Sequence, residues 1–105
     1  DSIKRALELD PNNAIAHAYY AEILIDANDS GTGAIGGIEK AIDESNVAIS
    51  LDPNALETRR ARGYVLEHTG NYEEAIREYE AAKAINGNIA DLHLALGRNY
   101  RTLGI

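Results

Sequence analysis

Residues 90–104 read ADLHLALGRNYRTLG, and their two glycines, Gly97 and Gly104, have counterparts earlier in the chain. Gly63 and Gly70 stand 34 residues before them. The same interval separates two pairs of alanines, Ala41 from Ala75 and Ala48 from Ala82. A fixed interval of roughly 20 to 50 residues is typical of chains built from stacked structural repeats. The interval therefore predicts a repeat protein.

A second motif extends the repeat toward the N-terminus, with one interruption. The segment LELDPNN at residues 7–13 returns as ISLDPNA at residues 49–55, which is 42 residues later. The eight extra residues fall between about Leu24 and Gly36, around the loop-like sequence NDSGTG. We therefore expect one repeat to carry an insert near residues 25–36.

Between these markers, apolar residues recur at spacings of three and four, which is the period of an α-helix. Proline and glycine after each such run are helix-ending residues. Together these signals predict six helices, near residues 2–9, 14–28, 37–51, 54–69, 72–86 and 89–103.

The chain resembles the tetratricopeptide repeat family. The first-helix signature of that family appears as Leu96-Gly97 and Tyr100, and the second-helix signature as residues 70–75, GNYEEA, followed by Tyr79 and Ala82. The resemblance implies an all-α, right-handed superhelical solenoid of antiparallel helix pairs that forms one domain, residues 1–105. Within it we expect a lone second helix (1–12), a repeat with the insert (13–53), a full repeat (54–87) and a lone first helix (88–105).

The pattern also predicts how several residues pack between the helices. Gly63 and Gly97 are small where paired helices should approach closely, as are Ala75 and Ala82 in the second helix. Larger side chains should fill the space around them; these are Tyr79, Tyr100, Leu96 and Ile76.

The large aromatic residue expected early in each first helix is replaced by His17, Arg59 and His93, and the leucine expected before Gly63 is Arg62. The two histidines occupy equivalent positions, which indicates a similar packing role in each repeat. A buried unpaired arginine is costly, so we expect Arg59 or Arg62 to reach water or to pair with a carboxylate of the acidic preceding repeat.

The composition excludes several classes of function. The net charge is -7, and residues 1–53 carry all of it, whereas residues 54–105 are balanced. This charge argues against nucleic acid as a partner, because nucleic acids bind clustered Lys and Arg. The absence of cysteine excludes thiolate metal sites and thiol nucleophiles. No apolar run reaches the length of a bilayer helix, so a membrane partner is not expected either.

Three motifs resemble a nucleotide-binding, a metal-binding or a catalytic site, but each has a simpler structural explanation. Residues 31–36, GTGAIG, fit a dinucleotide-binding pattern with Asp52 downstream, yet that pattern works only between a strand and a helix. The histidines at 17, 68 and 93 lack clustered ligand partners, so no metal site is predicted. The charged run Glu73, Glu74, Arg77, Glu78, Glu80 and Lys83 reads as a solvated helix face. We therefore predict no catalytic residue, no cofactor and no enzyme.

The resemblance also implies where a ligand would lie, namely along a concave groove lined by the first helices. The residues carried over to that groove are Ala18, Glu22, Ile25, Asp26, Glu57, Arg60, Tyr64, Glu67, His68, Asp91, Leu94, Arg98 and Arg101. The groove would be acidic toward the N-terminus and partly basic around its arginines, where a ligand carboxylate could bind.

Two functions follow from this reading. The first is a protein–protein interaction scaffold that binds a peptide or helix in the groove. The alternative is a structural spacer or self-assembly module. The absence of an initiator Met suggests a piece of a longer protein, and apolar residues near both ends predict end-to-end association into homo-oligomers; they are Ile3, Leu7, Leu96, Tyr100 and Leu103.

Overall fold

Six α-helices follow one another in the computed structural model, which describes residues 2–33 and 35–105. They are α1 (Ser2–Leu9), α2 (Ala14–Asp29), α3 (Gly37–Leu51), α4 (Leu56–His68), α5 (Tyr72–Ile85) and α6 (Ala90–Thr102). No strand occurs in the described residues, and every helix begins and ends within two residues of its predicted bounds. The all-α prediction is confirmed.

The same turn precedes three of the helices, α2, α4 and α6. In each turn the side chain of an Asp or Asn accepts a hydrogen bond from the backbone N–H two residues later, over 3.1–3.2 Å. The pairs are Asp10 with Asn12, Asp52 with Asn54, and Asn86 with Asn88. Such side-chain turns stop one helix and orient the next. The repeated sequence therefore gives a repeated local structure.

The three residues that replace the expected aromatic make one shared contact. A side-chain nitrogen of His17, Arg59 and His93 lies 2.7 Å from a carbonyl oxygen six residues earlier, in the preceding turn. These carbonyls belong to Pro11, Pro53 and Gly87. A carbonyl only accepts, so each side chain donates. His17 and His93 therefore share a hydrogen bond to the turn, which Arg59 also makes, but they do not share the expected packing role, because His17 is buried and His93 is exposed.

Helix packing follows the order of the chain. Helix α2 packs on α3, α4 packs on α5, and α4 also contacts both α2 and α3. Helix α6 packs on α5, and α1 packs on α2. The molecule is elongated, with extents of 42 × 30 × 20 Å. We call α2, α4 and α6 the first helices, because each begins a predicted repeat.

The largest apolar cluster lies between α4, α5 and α6. Tyr79 is 1% exposed at its centre, with Ala75, Ala82 and Leu92 around it. A Cβ atom added to Gly63 would lie 2.9 Å from the Tyr79 ring. Glycine at this position therefore lets the ring pack directly on the α4 backbone, as predicted.

Two expectations for α6 are wrong. A Cβ atom at Gly97 would meet nothing within 4 Å, so this glycine marks no close approach. The reason is that no helix of the described residues lies against that face of α6. Leu96, expected to be uncovered, is 5% exposed and packs in the cluster with α5. Tyr100 packs partly against the same cluster.

The two arginines of α4 pair with one carboxylate. Arg59 Nη1 lies 2.7 Å and Arg62 Nε 3.2 Å from the oxygens of Glu78, and Arg62 also donates to Asn46. The partner therefore comes from α5 and not from the preceding repeat, which corrects that expectation. It also corrects the assignment of Glu78 to the solvated face, because the Glu78 side chain is only 13% exposed. Glu73, Glu74, Arg77 and Glu80 are exposed as expected.

The glycine-rich motif lies in the connection from α2 to α3. A helix precedes it, so the strand that dinucleotide binding requires is missing there. Gly31 and Gly36 adopt positive φ angles of 77° and 84°, and Gly36 immediately precedes α3. Ala34 of the motif lies outside the described residues. Among the helices that are described, none is long and apolar enough to cross a membrane.

Candidate functional site

An open hollow of about 360 Å³ lies where all three first helices come together. Helix α2 contributes one residue, α4 two and α6 four, and α5 supplies Tyr79. The lining residues are Glu22, Arg60, Tyr64, Tyr79, Asp91, Leu94, Ala95 and Arg98. The hollow is therefore formed by several repeats together, and no single helix pair could form it.

One side of the hollow is an ion pair between α2 and α4. Arg60 Nη2 lies 3.2 Å from Glu22 Oε1, and both side chains are less than a quarter exposed. Burial raises the pKa of Glu22, and the attraction of Arg60 offsets this only in part. Arg60 also lies over the ring of Tyr19, 5.9 Å from its centroid. Its Nε is buried and has no hydrogen-bond partner among the described residues.

A second ion pair joins α4 to α6. Arg98 donates to both oxygens of Glu67, with Nη2 at 2.9 Å from Oε1, and the Tyr79 hydroxyl donates to the same Oε1 over 2.9 Å. Burial alone would raise the pKa of Glu67, but the hydrogen bonds from Arg98 and Tyr79 outweigh it and lower that pKa. Burial and the Glu67 carboxylate raise the pKa of Tyr79. The three groups therefore fix one another in place.

A third set of polar contacts lies beside the hollow. The Tyr64 hydroxyl donates to Asp26 Oδ1 over 2.5 Å, and burial together with this carboxylate raises the pKa of Tyr64. His68 Nε2 lies 3.1 Å from Asp29 Oδ2, and its ring packs on Tyr64 with centroids 4.3 Å apart. These contacts also join α2 to α4.

Two residues of α6 are left without such partners. Leu94 is 67% exposed although it lines the hollow. Asp91 is exposed, and its carboxylate forms no hydrogen bond or ion pair within the described residues. An apolar side chain and a carboxylate are therefore both available to a ligand at this wall.

The structure brings most of the predicted groove residues together. Six of them line the hollow directly, and Glu67, Asp26 and His68 contact lining residues. Glu57 and Arg101 lie on α4 and α6 outside the lining. Ala18 and Ile25 were assigned wrongly, because both are fully buried. Tyr79 and Ala95 were missed, since their sequence pattern indicates only a core position.

The side chains of the site offer no constellation for metal binding. Within residues 2–33 and 35–105, no three His, Cys, Asp or Glu side chains form a group that could hold a metal ion. The histidine side chains bond to different groups. His17 contacts Pro11 and Glu44, and His93 contacts Gly87. The site instead presents hydrogen-bonding groups, paired charges and one exposed apolar side chain.

Two family models match the chain, and both describe a tetratricopeptide repeat. One matches residues 57–89 and the other residues 3–43. The chain belongs to the tetratricopeptide repeat family. Members of this family generally mediate protein–protein interactions and generally act as scaffolds rather than enzymes. No curated protein matches the chain.

The Glu67 cluster of this tetratricopeptide repeat chain makes a pH prediction. Because the folded-state pKa of Glu67 lies below its ordinary value, its ionised form favours folding. That contribution is present above the unfolded pKa and is lost as the pH falls through the folded pKa. Glu67→Gln is therefore expected to lower the free energy of unfolding by about 1 kcal/mol at neutral pH. The difference from the parent chain should begin to shrink below about pH 4.3 and should close only when the pH falls below the lowered pKa of the folded state.

Urea unfolding followed by circular dichroism across this pH range measures the difference. Glu74→Gln is the control, because it removes the same charge from an exposed position on α5. It should change the free energy of unfolding by less than about 0.5 kcal/mol. A Glu67→Gln deficit that stays constant down to acidic pH would contradict the assigned role of the carboxylate.

Proposed function

We propose that this chain binds a segment of another protein in the hollow between α2, α4 and α6. The observation that carries the proposal is the shared construction of the hollow, to which three successive first helices contribute side chains. An extended segment or helix that crosses these helices would contact several repeats at once. The general role of the family in protein–protein interaction supports the same conclusion.

The charges of the hollow favour one kind of ligand. Arg60 and Arg98 are already paired with Glu22 and Glu67, so a ligand carboxylate would have to displace or share them. Leu94 and Asp91 have no such partners. A segment with an apolar side chain for Leu94 and an N–H group or cation for Asp91 therefore fits better than the acidic ligand that the sequence suggested.

Peptide selection followed by calorimetry tests the proposal. Short peptides are selected from a displayed library on the parent chain, and their affinity is then measured for Leu94→Arg and Val47→Arg. Both residues are exposed and apolar, but Val47 lies on α3, away from the hollow. Leu94→Arg should weaken binding by at least roughly tenfold, which corresponds to about 1.4 kcal/mol. Val47→Arg should leave it within about twofold. Equal losses would overturn the proposal.

A structural spacer or self-assembly module is the second candidate function. The observation in its favour is a row of exposed apolar side chains on α2, formed by Ile15, Tyr19 and Ile23. Exposed apolar rows of this kind commonly mark interaction surfaces. Size that increases with protein concentration would support this candidate, and a constant size would reject it.

A further inference from the structure

The turn between α5 and α6 differs chemically from the two equivalent turns. The turns before α2 and α4 contain Asp-Pro at residues 10–11 and 52–53, whereas the turn before α6 contains Asn86 followed by Gly87. A carboxylate and a proline are thus replaced by an amide and a glycine. No other asparagine of the chain is followed by glycine. The third turn therefore places a side-chain amide next to an unhindered backbone N–H group.

An asparagine followed by glycine can lose its side-chain amide without an enzyme. The backbone nitrogen of the glycine bonds to Cγ of the asparagine, and the amide nitrogen leaves with the glycine proton as ammonia. Water then opens the resulting succinimide ring at either carbonyl, which gives aspartate or isoaspartate. Glycine favours ring closure because it has no Cβ atom in the way. Proline prevents it because its nitrogen carries no hydrogen, so the two Asp-Pro turns are closed to this reaction.

The structure leaves both reacting groups accessible. Residues 84–88 are all exposed. The Gly87 N–H donates no hydrogen bond within the described residues, so the attacking nitrogen is free. The Asn86 side chain makes one hydrogen bond there, in which it accepts from the Asn88 N–H over 3.1 Å. A single exposed hydrogen bond is weak, so local opening releases the side chain and lets Cγ turn toward the Gly87 nitrogen.

The aspartate product keeps the turn. In the two equivalent turns, Asp10 and Asp52 already accept the same hydrogen bond through Oδ1, over 3.2 and 3.1 Å. The backbone of Asn86, with φ −149° and ψ 101°, also matches that of Asp52, with φ −148° and ψ 92°. Aspartate at position 86 therefore takes the geometry that its equivalents have.

The isoaspartate product does not keep the turn. Its main chain runs through the former side chain, so one additional carbon atom separates residue 86 from Gly87. Two contacts attach α6 to this turn, from the Asn88 N–H to Asn86 Oδ1 and from His93 Nε2 to the Gly87 carbonyl over 2.7 Å. Both depend on the spacing of these residues and are lost when it changes. Helix α6, which supplies four residues of the hollow, is then no longer attached to the turn before it.

We propose that Asn86 and Gly87 form a site of spontaneous deamidation, and that isoaspartate at position 86 releases α6 from the preceding turn. Water is the only co-reactant, so the altered fraction increases with the age of the protein. The consequence for ligand binding rests on the proposed function. A segment that crosses α2, α4 and α6 loses affinity as the isoaspartate form accumulates, because one of the three helices is no longer held in place.

Incubation of the folded chain in mildly alkaline buffer, followed by peptide mapping with mass spectrometry, tests the site. Asn54 is the internal control, because it is exposed in the turn before α4 but precedes Ala55. Asn86 should convert at least roughly tenfold faster, which corresponds to about 1.4 kcal/mol of activation free energy. Gly87→Pro restores the proline of the other turns and should stop this conversion. Equal rates at Asn86 and Asn54, or an unchanged rate at Asn86 in Gly87→Pro, would overturn the site.

Hydrogen exchange tests the release of α6, after chromatography has separated the isoaspartate form from the aged protein. Amide protons of α6 should exchange at least roughly tenfold faster in that form than in the fresh parent chain. Freshly prepared Asn86→Asp is the matched control, because it carries the same added charge on an unaltered main chain, and its exchange should stay within about twofold. Unchanged α6 exchange in the isoaspartate form would overturn the release of the helix.

Calorimetry with the selected peptide then tests the effect on the hollow. The isoaspartate form should bind at least roughly tenfold more weakly than the fresh parent chain, whereas Asn86→Asp should bind within about twofold of it. Equal affinity of the isoaspartate form would overturn this effect. A peptide that fails to bind the hollow of the fresh parent chain rejects the proposed function instead, and the deamidation site is then decided by mass spectrometry and hydrogen exchange alone.

Discussion

Tyr79→Ala is expected to lower the free energy of unfolding by about 3–5 kcal/mol. The side chain is 1% exposed, and its ring fills the space between Gly63 on α4 and the apolar residues of α5 and α6. Its removal leaves a cavity at the largest cluster of the molecule and also leaves Glu67 without one of its donors. Domains of this size are stable by only about 5–15 kcal/mol, so much of the stability would be lost.

Urea unfolding followed by circular dichroism measures this change, with two variants for comparison. Tyr79→Phe keeps the ring and loses only the hydrogen bond to Glu67, so it should cost about 1 kcal/mol. Tyr19→Ala removes an equally large side chain from a position that is 41% exposed, and at dilute concentration it should cost about 1 kcal/mol or less. Equal losses for Tyr79→Ala and Tyr19→Ala would show that the cluster is not the main source of stability.

Gly63→Ala and Gly97→Ala are expected to change stability in opposite directions, although both glycines hold the same position of the repeat. Alanine is favoured over glycine inside a helix by about 1 kcal/mol. At Gly97 the new methyl group meets nothing within 4 Å, so this gain should be realised. At Gly63 it would lie 2.9 Å from the Tyr79 ring, and the overpacking should cost about 1–3 kcal/mol.

Thermal and urea unfolding of both variants at dilute concentration checks the pair. We expect Gly97→Ala to be more stable than the parent chain and Gly63→Ala to be less stable. In a Tyr79→Leu background, Gly63→Ala should cost less than it does in the parent chain, because the smaller side chain makes room for the methyl group. A stabilised Gly63→Ala would mean that α4 and α5 are not in close contact at this point.

The two glycines also show how far sequence reasoning reaches. The 34-residue interval predicted a repeat protein, and the apolar spacing of three and four predicted its six helices, because both patterns are encoded locally along the chain. The family came from the resemblance of its helix motifs. The interval could not distinguish Gly63 from Gly97. The difference depends on whether another helix lies opposite, and that is a property of the assembled molecule.

The sequence predicted the candidate site only in part, as it did the packing of the helices. The groove positions were carried over from the family resemblance, and Arg60, Leu94 and Arg98 among them line the hollow. Their pairing was not predicted, because Glu22 and Glu67 are 38 and 31 residues away from their arginines. The partner of Arg59 and Arg62 was not predicted either. Both pair with Glu78 on α5, and the sequence pattern indicated a solvated position for that residue.

The hollow between the first helices is tested most directly by NMR titration of the labelled chain with a selected peptide. Binding there should give the largest chemical-shift changes at Tyr64, Asp91, Leu94 and Arg98. The dissociation constant fitted to these changes should equal the one measured by calorimetry. Val47 on α3 and the exposed charges of α5 should be nearly unaffected. Shifts concentrated on α3 and α5, with the hollow unchanged, would contradict binding across the first helices.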